Sequence, residues 1–436
     1  MNRFITIFCL SLVSLFCGMP KWAFSQDKVL TLNECIQLGL ENKLDFKIEQ
    51  LKVLRMKKAK RSTASRFLPQ INFYGSHRYL FGSSIDPASN TRVSSNIQSD
   101  NLGIEGALNL FNFNELWESK LSNDDFLIAQ QNKAVIEREF ILQVIQKYYD
   151  ALAAQEWQKV IEAQLVNSKQ QLERIQKEVE DGAKPESDEQ DIQVVVIQEK
   201  KLLLQTQQEE ANQKLSLMQL INNQVLLPDN ITLVFNKAIA VPNTLVIQNH
   251  PAIQLEKLRL VKLEHEYTQL MGPMLPRVSL SYDYGTFYSN KIKDIFDTSL
   301  QFGSQLRNNK NQFLGLNLSI PIFSRGDRLQ ARRLKKMEFL EQEQLISKTT
   351  LDLNNKLQLE IQKIKQFDEL QPSLIEHMNF AEKSLETTQT KFEFGRVDIS
   401  AYNAAKNQVL NASYDYLKNQ LFKAMTIHIM ETMIEE

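Results

Sequence analysis

Cysteine is scarce in this chain, and its distribution excludes a disulfide-stabilised fold. Of the three cysteines, Cys9 and Cys17 lie in an N-terminal stretch that has the pattern of an export signal. If that stretch is removed, Cys35 stands alone, so the mature chain can form no intrachain disulfide. The sequence assigns Cys35 no role.

Long apolar runs and a surplus of one charge are also missing. Beyond the export signal there is no run of about 18 apolar residues, which excludes a transmembrane helix. Lysine and arginine together number 51, against 52 for aspartate and glutamate. This balance lacks the positive surplus of a nucleic-acid-binding protein, so we expect no nucleic-acid partner. We expect an exported chain that is either soluble or spans a membrane as β-structure.

Residues 1–25 have the three parts of a secretory signal peptide. Arg3 precedes the apolar run Phe4–Phe16, and Ala23-Phe24-Ser25 forms a small-x-small cleavage site. A lipoprotein signal that ends at Cys17 is disfavoured, because the phenylalanine before it is too bulky for that processing site. We therefore predict that the mature chain begins after this segment.

Glycine and proline, 13 and 11 residues in all, are confined to a few places. None occurs from Asn114 to the residue before Gly182, which predicts a helix of roughly 100 Å at about 1.5 Å per residue. That is too long for one helix of a compact domain, so Lys177–Asp191 is predicted to be the turn of an antiparallel helical hairpin. Gly182 suits the left-handed residue that ends the first helix, and Ser187 with Gln190 is typical of a capping box that begins the second.

The same plan occurs a second time, with a turn in KFEFGRVDIS at Gly395. The residues that approach each turn have the 3.5-residue spacing of a coiled-coil seam, at a constant offset of 213 (Leu374 minus Ile161). The two seams are Ile161, Leu165, Ser168, Leu172, Ile175 and Val179, and Leu374, Met378, Ala381, Leu385, Thr388 and Phe392. A tandem repeat is therefore predicted.

We predict four segments: a signal peptide at 1–25, a first repeat at 26–222, a linker or equatorial segment at 223–248, and a second repeat at 249–436. Each repeat is expected to contain a helix, two strands and a long helical hairpin. In the first repeat, Thr31 and Glu34 predict a capping box that begins a helix ending before Pro69.

Four segments of about ten residues alternate between apolar and polar side chains, which predicts strands. Their apolar positions are Ile71 and Phe73; Leu102, Ile104, Leu108 and Leu110; Val278, Leu280, Tyr282 and Tyr284; and Leu314, Leu316, Leu318, Ile320 and Ile322. This length and pattern are typical of outer-membrane β-barrel strands, although the alternation alone also fits hairpins of a soluble domain. Four strands cannot close a barrel, so strands that span a membrane require several chains to share one.

No residue pattern predicts chemistry. The five histidines, His77, His250, His265, His377 and His428, have no metal-ligand spacing, and there is no phosphate-binding glycine loop and no nucleophile elbow. We expect no catalytic residue, no metal site and no cofactor, so an exported enzyme has no residues to support it.

At this point the chain resembles the TolC-like outer-membrane efflux proteins, over nearly the whole mature chain, about 27–436. The resemblance depends on the duplicated plan and on FLPQINF, MLPRVSL, GLNLSIPIF and FEFGRVDIS in their order. It implies a mainly α fold with β, in which three chains form one 12-strand β-barrel continued by a periplasmic α-helical barrel. Pro69, Pro276 and Pro321 match the junctions between strands and helices. Asn109 stands where the second half has Pro321, so we expect that junction to bend less sharply.

The resemblance also implies a function: a passive exit duct in the outer membrane, part of a tripartite efflux or type I secretion system. Its expected partners are outer-membrane lipid, two further copies of the chain, a periplasmic adaptor (a membrane fusion protein) and an inner-membrane pump. The expected adaptor-docking residues at the turns are Gly182, Ser187, Gly395, Arg396, Asp398 and Ser400. The alternative is a non-channel periplasmic coiled-coil adaptor or structural spacer.

In that family acidic residues just beyond the second turn narrow the periplasmic entrance, but here Ser400 and Asn403 fall in that region. The first turn instead offers Asp188 and Asp191, which are three residues apart and so share a helix face. We predict a possible carboxylate constriction there. The alternative is that Asp188 is present only because the helix dipole favours an acidic residue in the first turn, by ~0.3–1 kcal/mol.

Overall fold

The computed structural model describes residues 28–60, 63–85, 90–94, 96–223, 230–235, 247–291, 302–323 and 326–434. The predicted signal peptide at 1–25 and most of the predicted linker at 223–248 lie outside the described residues. Within the described ranges, no helix is both long and apolar enough to cross a membrane.

The same order of elements occurs twice: helix, two long strands, two long helices. The first half contains β1 (Lys28–Leu30), α1 (Leu32–Asn42), α2 (Leu44–Ala59), α3 (Thr63–Arg66), β2 (Gln70–Leu80), β3 (Ser83–Ile85), β4 (Arg92–Ser94), β5 (Ile97–Phe111), α4 (Phe113–Glu180) and α5 (Glu186–Leu220). After β6 (Ile231–Leu233) follow α6 (Pro251–Gln269), β7 (Arg277–Lys291), α7 (Phe302–Asn308), β8 (Asn311–Ser319), α8 (Asp327–Glu393) and α9 (Ile399–Ile434). The two helical hairpins and the four long strands are confirmed.

The capping box at the start of α1 is confirmed, since the Glu34 amide donates to the Thr31 hydroxyl and the Thr31 amide donates to the Glu34 carboxylate. The prediction of one helix from there to Pro69 is wrong, because the chain is extended at Lys43, with φ −68° and ψ 124°. The Lys43 ammonium lies 4.5 Å from the centre of the Phe140 ring. These partners are distant in sequence, so no local signal marks the break.

The chain divides into two compact units that cut across the two halves. The first unit takes Met1–Phe46, Ile136–Ile247 and Asn354–Glu436, and the second takes Lys47–Val135 and Gln248–Leu353. Both helical turns belong to the first unit and the four long strands belong to the second. Packing defines these units, so the predicted repeat boundaries stay a prediction.

In the first unit, α4 holds two short strands against an apolar core. β1 and β6 pair in parallel, with Leu30 opposite Leu233. The Gln155 side chain bonds both the amide and the carbonyl of Leu233 at 2.9 Å. The Tyr148 hydroxyl lies 2.7 Å from the carbonyl of Val234, and burial raises the pKa of this tyrosine. The polar groups of the strands are therefore satisfied inside the core.

In the second unit, β2, β5, β7 and β8 form one antiparallel sheet in that order. One face is apolar and strongly exposed: Ile71 68%, Phe73 73%, Leu314 68%, Leu316 69% and Leu318 64%. The other face carries polar residues, with Glu105 opposite Asp283 on neighbouring strands. Among the described strands, neither β2 nor β8 has a neighbour on its outer edge.

The junction residues lie where strands and helices meet. Pro69 directly precedes β2, Pro276 directly precedes β7, and Pro321 lies between β8 and α8. In β5 the register shifts between Asn109 and Phe111, which is a β-bulge, and bulges bend strands. How sharply each junction bends is still a prediction.

The two predicted coiled-coil seams are confirmed, since every seam residue is buried or half-buried. Ser168 is the polar member of the first seam and is fully buried. Lys406 of α9 donates to the Ser168 hydroxyl, which in turn donates to Glu199 of α5. The Lys406 ammonium also lies 3.0 Å from the Glu199 carboxylate. This polar cluster joins the second hairpin to both helices of the first.

We expect Lys406→Met to destabilise the first unit by about 3–5 kcal/mol, because it leaves the Glu199 carboxylate buried without a cation. Glu199 and Lys406 side chains are only 11% and 5% exposed. Burial, the larger influence, lowers the pKa of Lys406, against the attraction of Glu199. The double variant Lys406→Met/Glu199→Met should recover most of the loss, as thermal unfolding can measure. Additive losses in the double variant would show that the two residues are not coupled.

Candidate functional site: the two helical turns

The two turns have the same backbone structure. In the first, the Ala183 amide donates to the Glu178 carbonyl at 2.7 Å, and in the second the Arg396 amide donates to the Lys391 carbonyl at 2.8 Å. This hydrogen bond closes a loop of six residues and is typical of the Schellman motif, in which a helix ends at a left-handed residue. That residue is Gly182 in one turn, with φ +72°, and Gly395 in the other, with φ +66°. The predicted left-handed glycines are confirmed.

The helices that follow begin differently. Asp398 caps α9, since its carboxylate accepts from the Ala401 amide at 2.9 Å. Pro185 occupies the matching position before α5 and provides no side-chain cap. The predicted capping box of Ser187 and Gln190 is therefore wrong: the helix begins directly after Pro185, and Ser187 lies inside its first turn. Proline fixes its own φ near the helical value, which suits the residue where a helix begins.

A small apolar core supports both turns. Its buried members are Ile175, Ile192, Phe392, Ile399 and Tyr402. The rings of Phe392 and Tyr402 stack with centroids 5.4 Å apart, and the Lys184 ammonium lies 3.7 Å from the centre of the Phe392 ring. The two turns are thereby fixed to each other by contacts within one chain.

An ion pair joins α4 to α8 beside this core. Arg174 donates to Glu178 on its own helix and to Glu393 on α8, both at 2.9 Å. These hydrogen bonds raise the pKa of Arg174, and the bond from Arg174 lowers the pKa of Glu393. All three side chains remain partly exposed, so the pair adds little stability and orients the two turns.

A cleft of about 670 Å³ lies between the turns. Of the residues singled out from the sequence, Asp188, Gly395, Arg396 and Asp398 line this cleft. Ser187, Asp191 and Ser400 are exposed and do not line it, and Gly182 lies at the exposed crest of the first turn. Asp188 is half-buried. The structure therefore brings together part of the predicted set.

Two lining residues were missed by the sequence reasoning. Lys184 lies between Glu178, 3.2 Å away, and the Phe392 ring. Phe394 is 73% exposed. Helical spacing alone could have found Phe394, because it stands two residues after a seam position and so points away from the seam. The cleft offers a mixed-charge rim and one exposed ring, which suits binding of a protein surface rather than catalysis.

Comparison with known proteins gives a consistent result. The model of the family described as "Outer membrane efflux protein" matches residues 35–223 and 244–422. No curated protein sequence matches the chain. Among solved structures, the CmeC outer membrane channel of Campylobacter jejuni is similar at 18% identity, with a TM-score of 0.74 over 96% of this chain and 90% of that one.

Two further structures have the same fold. The outer membrane protein VceC of Vibrio cholerae is 13% identical, with a TM-score of 0.73 over 92% of this chain and 95% of that one. The open-state MtrE outer membrane channel of Neisseria gonorrhoeae is 15% identical, with a TM-score of 0.71 over 92% and 88%. The family match favours the channel over the adaptor or spacer considered from the sequence. The chain belongs to the outer membrane efflux protein family.

Proposed function

We propose that three copies of this chain form one passive duct from the periplasm through the outer membrane. Each copy contributes β2, β5, β7 and β8 to a 12-strand barrel, and α4, α5, α8 and α9 to a helical barrel. The observation that carries the proposal is the sheet itself: its apolar face is exposed and its two outer edges lack a described partner strand. In lipid every backbone group must be paired, so such a sheet is stable only when copies close it.

The polar face of the sheet would line the water-filled lumen. It carries Asn72, Glu105 and Asp283 in one row across three strands, followed by Phe313 on the fourth. Asn72 donates to Glu105 at 3.3 Å, so the row is already held by bonds within the chain. Solute would pass without any covalent step, and an inner-membrane pump would supply the energy.

The helical turns would dock a periplasmic adaptor that belongs to this pump. The support is the cleft between the turns, with Arg396 and Asp398 on its rim and the exposed Phe394 ring beside it. Exposed aromatic and arginine side chains are the residue types that most often anchor protein interfaces. The surface that the adaptor contacts would also include Gly182, Ser187, Gly395 and Ser400. We also retain the division into repeats at 26–222 and 249–436, with a signal peptide at 1–25.

We predict that Gly395→Val leaves assembly intact and abolishes export. A Cβ at Gly395 would contact nothing within 4 Å, so no clash opposes folding. Because φ is positive there, the substitution costs on the order of 1–2 kcal/mol of backbone strain, and it alters the exposed turn. Gly326→Val is the matched control, because Gly326 also has a positive φ, +82°, and also faces open space. Efflux of a dye substrate from cells is the measurement. Normal efflux through a correctly assembled Gly395→Val channel would remove the docking role.

We predict that Asp188→Asn with Asp191→Asn lowers cation selectivity and weakens block by divalent cations in planar bilayers. Three chains would bring six carboxylates together if this helix face lines the entrance. The control is Glu343→Gln with Asp352→Asn, which removes two exposed carboxylates elsewhere. If conductance, selectivity and block of the Asp188 and Asp191 variant equal those of wild type, these aspartates only begin the helix.

A further inference from the structure

The start of α8 carries an unusual density of positive charge. Its first ten residues, 327–336, contain five basic side chains and one acidic one. We define the basic patch as Arg328, Arg332, Arg333 and Lys336. We propose that this patch binds the phosphate of an anionic phospholipid headgroup where the sheet leaves the outer membrane. The location in the membrane depends on the proposed function; the binding chemistry does not.

The register of the sheet places the start of α8 at one end of all four long strands. Gln70 at the start of β2 is opposite Ala107 near the end of β5, and Arg277 at the start of β7 is opposite Ser319 at the end of β8. The strands therefore meet their helices at this single end. A sheet that spans a bilayer has its lipid headgroups at such an end.

Three apolar side chains lie between the sheet and the patch. Ile320 is 53% exposed, Ile322 is 98% exposed and Phe323 is 85% exposed. Full exposure of large apolar residues directly before a basic run is costly in water and typical of a membrane interface, where the apolar groups enter lipid and the cations remain at the headgroups.

Among the described residues, the patch has no anionic partner. Two of its guanidinium nitrogens, Arg328 Nη1 and Arg332 Nε, are shielded from solvent and have no hydrogen-bond acceptor in that part of the chain. Arg332 donates to the Tyr267 hydroxyl at 2.7 Å, which is a neutral partner. None of the four patch residues has an ion pair with the described part of the chain. By contrast, the neighbouring Lys335 lies 3.0 Å from Glu266 and 2.6 Å from Glu338.

An oxyanion would supply what the patch lacks. Arg328 and Arg332 are four residues apart and share a helix face, with Lys336 one turn further. A guanidinium presents a planar fork of donors that matches the oxygens of a phosphate. Arg333 and Lys336 are exposed and Arg328 and Arg332 are half-buried, so a phosphate placed against this face would accept from the donors that solvent still reaches.

The fold itself does not require these charges. The matching positions at the start of α4, at an offset of 212 (Arg328 minus Leu116), are Leu116, Lys120, Leu121 and Asp124. That helix folds with one basic residue there, and Asp124 pairs with His265 at 2.6 Å. The arginines of α8 therefore reflect the surroundings of one junction rather than the structure of the repeat.

Each lysine or arginine near an anionic membrane surface strengthens binding by ~1 kcal/mol, roughly five-fold in affinity. The occupant that fits is an anionic lipid such as phosphatidylglycerol, which combines a phosphate with acyl chains for Ile322 and Phe323.

The test is competition between two lipids for the assembled, detergent-solubilised protein. The protein is equilibrated with equal amounts of phosphatidylglycerol and phosphatidylcholine, separated from free lipid, and the retained lipid is measured by mass spectrometry. Wild type should retain phosphatidylglycerol at least about ten-fold more than phosphatidylcholine. Arg328→Gln/Arg332→Gln/Arg333→Gln should bring that ratio close to one, because each charge removed lowers the affinity for the anionic lipid roughly five-fold.

The matched control is Lys348→Gln/Lys356→Gln/Lys365→Gln, which removes three exposed charges from the same helix and should keep the wild-type preference. The variant Arg328→Lys/Arg332→Lys/Arg333→Lys should keep most of the preference for phosphatidylglycerol. It provides a second test if the glutamine variant fails to assemble. Equal retention of both lipids by wild type, or an unchanged preference in an assembled glutamine variant, would overturn the proposal. Retention of inorganic phosphate by the wild type in the absence of lipid, together with no preference between the two lipids, would assign the patch to a free ion and also overturn the proposal. The mobility of the trimer on unboiled gels tests the proposed duct independently of lipid binding.

Discussion

The outer edges of the four-stranded sheet, which are unpaired among the described strands, are the feature that most restricts how this protein can assemble. β2 and β8 each leave one row of backbone amides and carbonyls without a partner strand among the described residues. In hydrocarbon each unpaired group costs several kcal/mol. The exposed Phe73 and Leu316 on the apolar face make a water-facing sheet equally unfavourable. In the proposed assembly, neighbouring copies would pair the edges and lipid would cover the apolar face.

The helices meet the requirement for backbone hydrogen bonding in a different way from the sheet. Helices satisfy their own backbone, so their contacts depend on seams of side chains. The apolar seam residues give the hairpins their pairing, and the buried Lys406, Glu199 and Ser168 fix which helices meet. A polar cluster in an otherwise apolar seam tolerates few alternative registers, because any shift leaves a charge buried without its partner. The turns are held in place by packing within the chain and remain exposed.

Much of this could be predicted from the sequence, because the signals were local. The lack of glycine and proline marked α4 and α5, the alternation at Leu102 to Leu110 marked a strand, and Gly182 and Gly395 marked the left-handed turns. Two misses involve residues whose partners are distant in sequence. Lys43, where the first helix ends, lies against Phe140, and Lys406 has no local feature that distinguishes it from a solvated lysine. The start of α5 was misplaced because Ser187 has a capping sequence, while Pro185 already occupies the capping position. The docking role proposed for the turns would depend on a partner that no local pattern describes.

Closure of the sheet by neighbouring copies can be measured directly by cysteine cross-linking. Asn72→Cys on β2 would be combined in turn with Phe313→Cys, Asn317→Cys or Ser319→Cys on the same face of β8. The background is low, because Cys35 is fully buried and burial raises its pKa to about 12. After oxidation in outer membranes, shared closure predicts covalent dimers and trimers on denaturing gels for at least one pair and none larger. Monomers with every pair, under conditions in which both cysteines react with a thiol reagent, would contradict a barrel shared between chains.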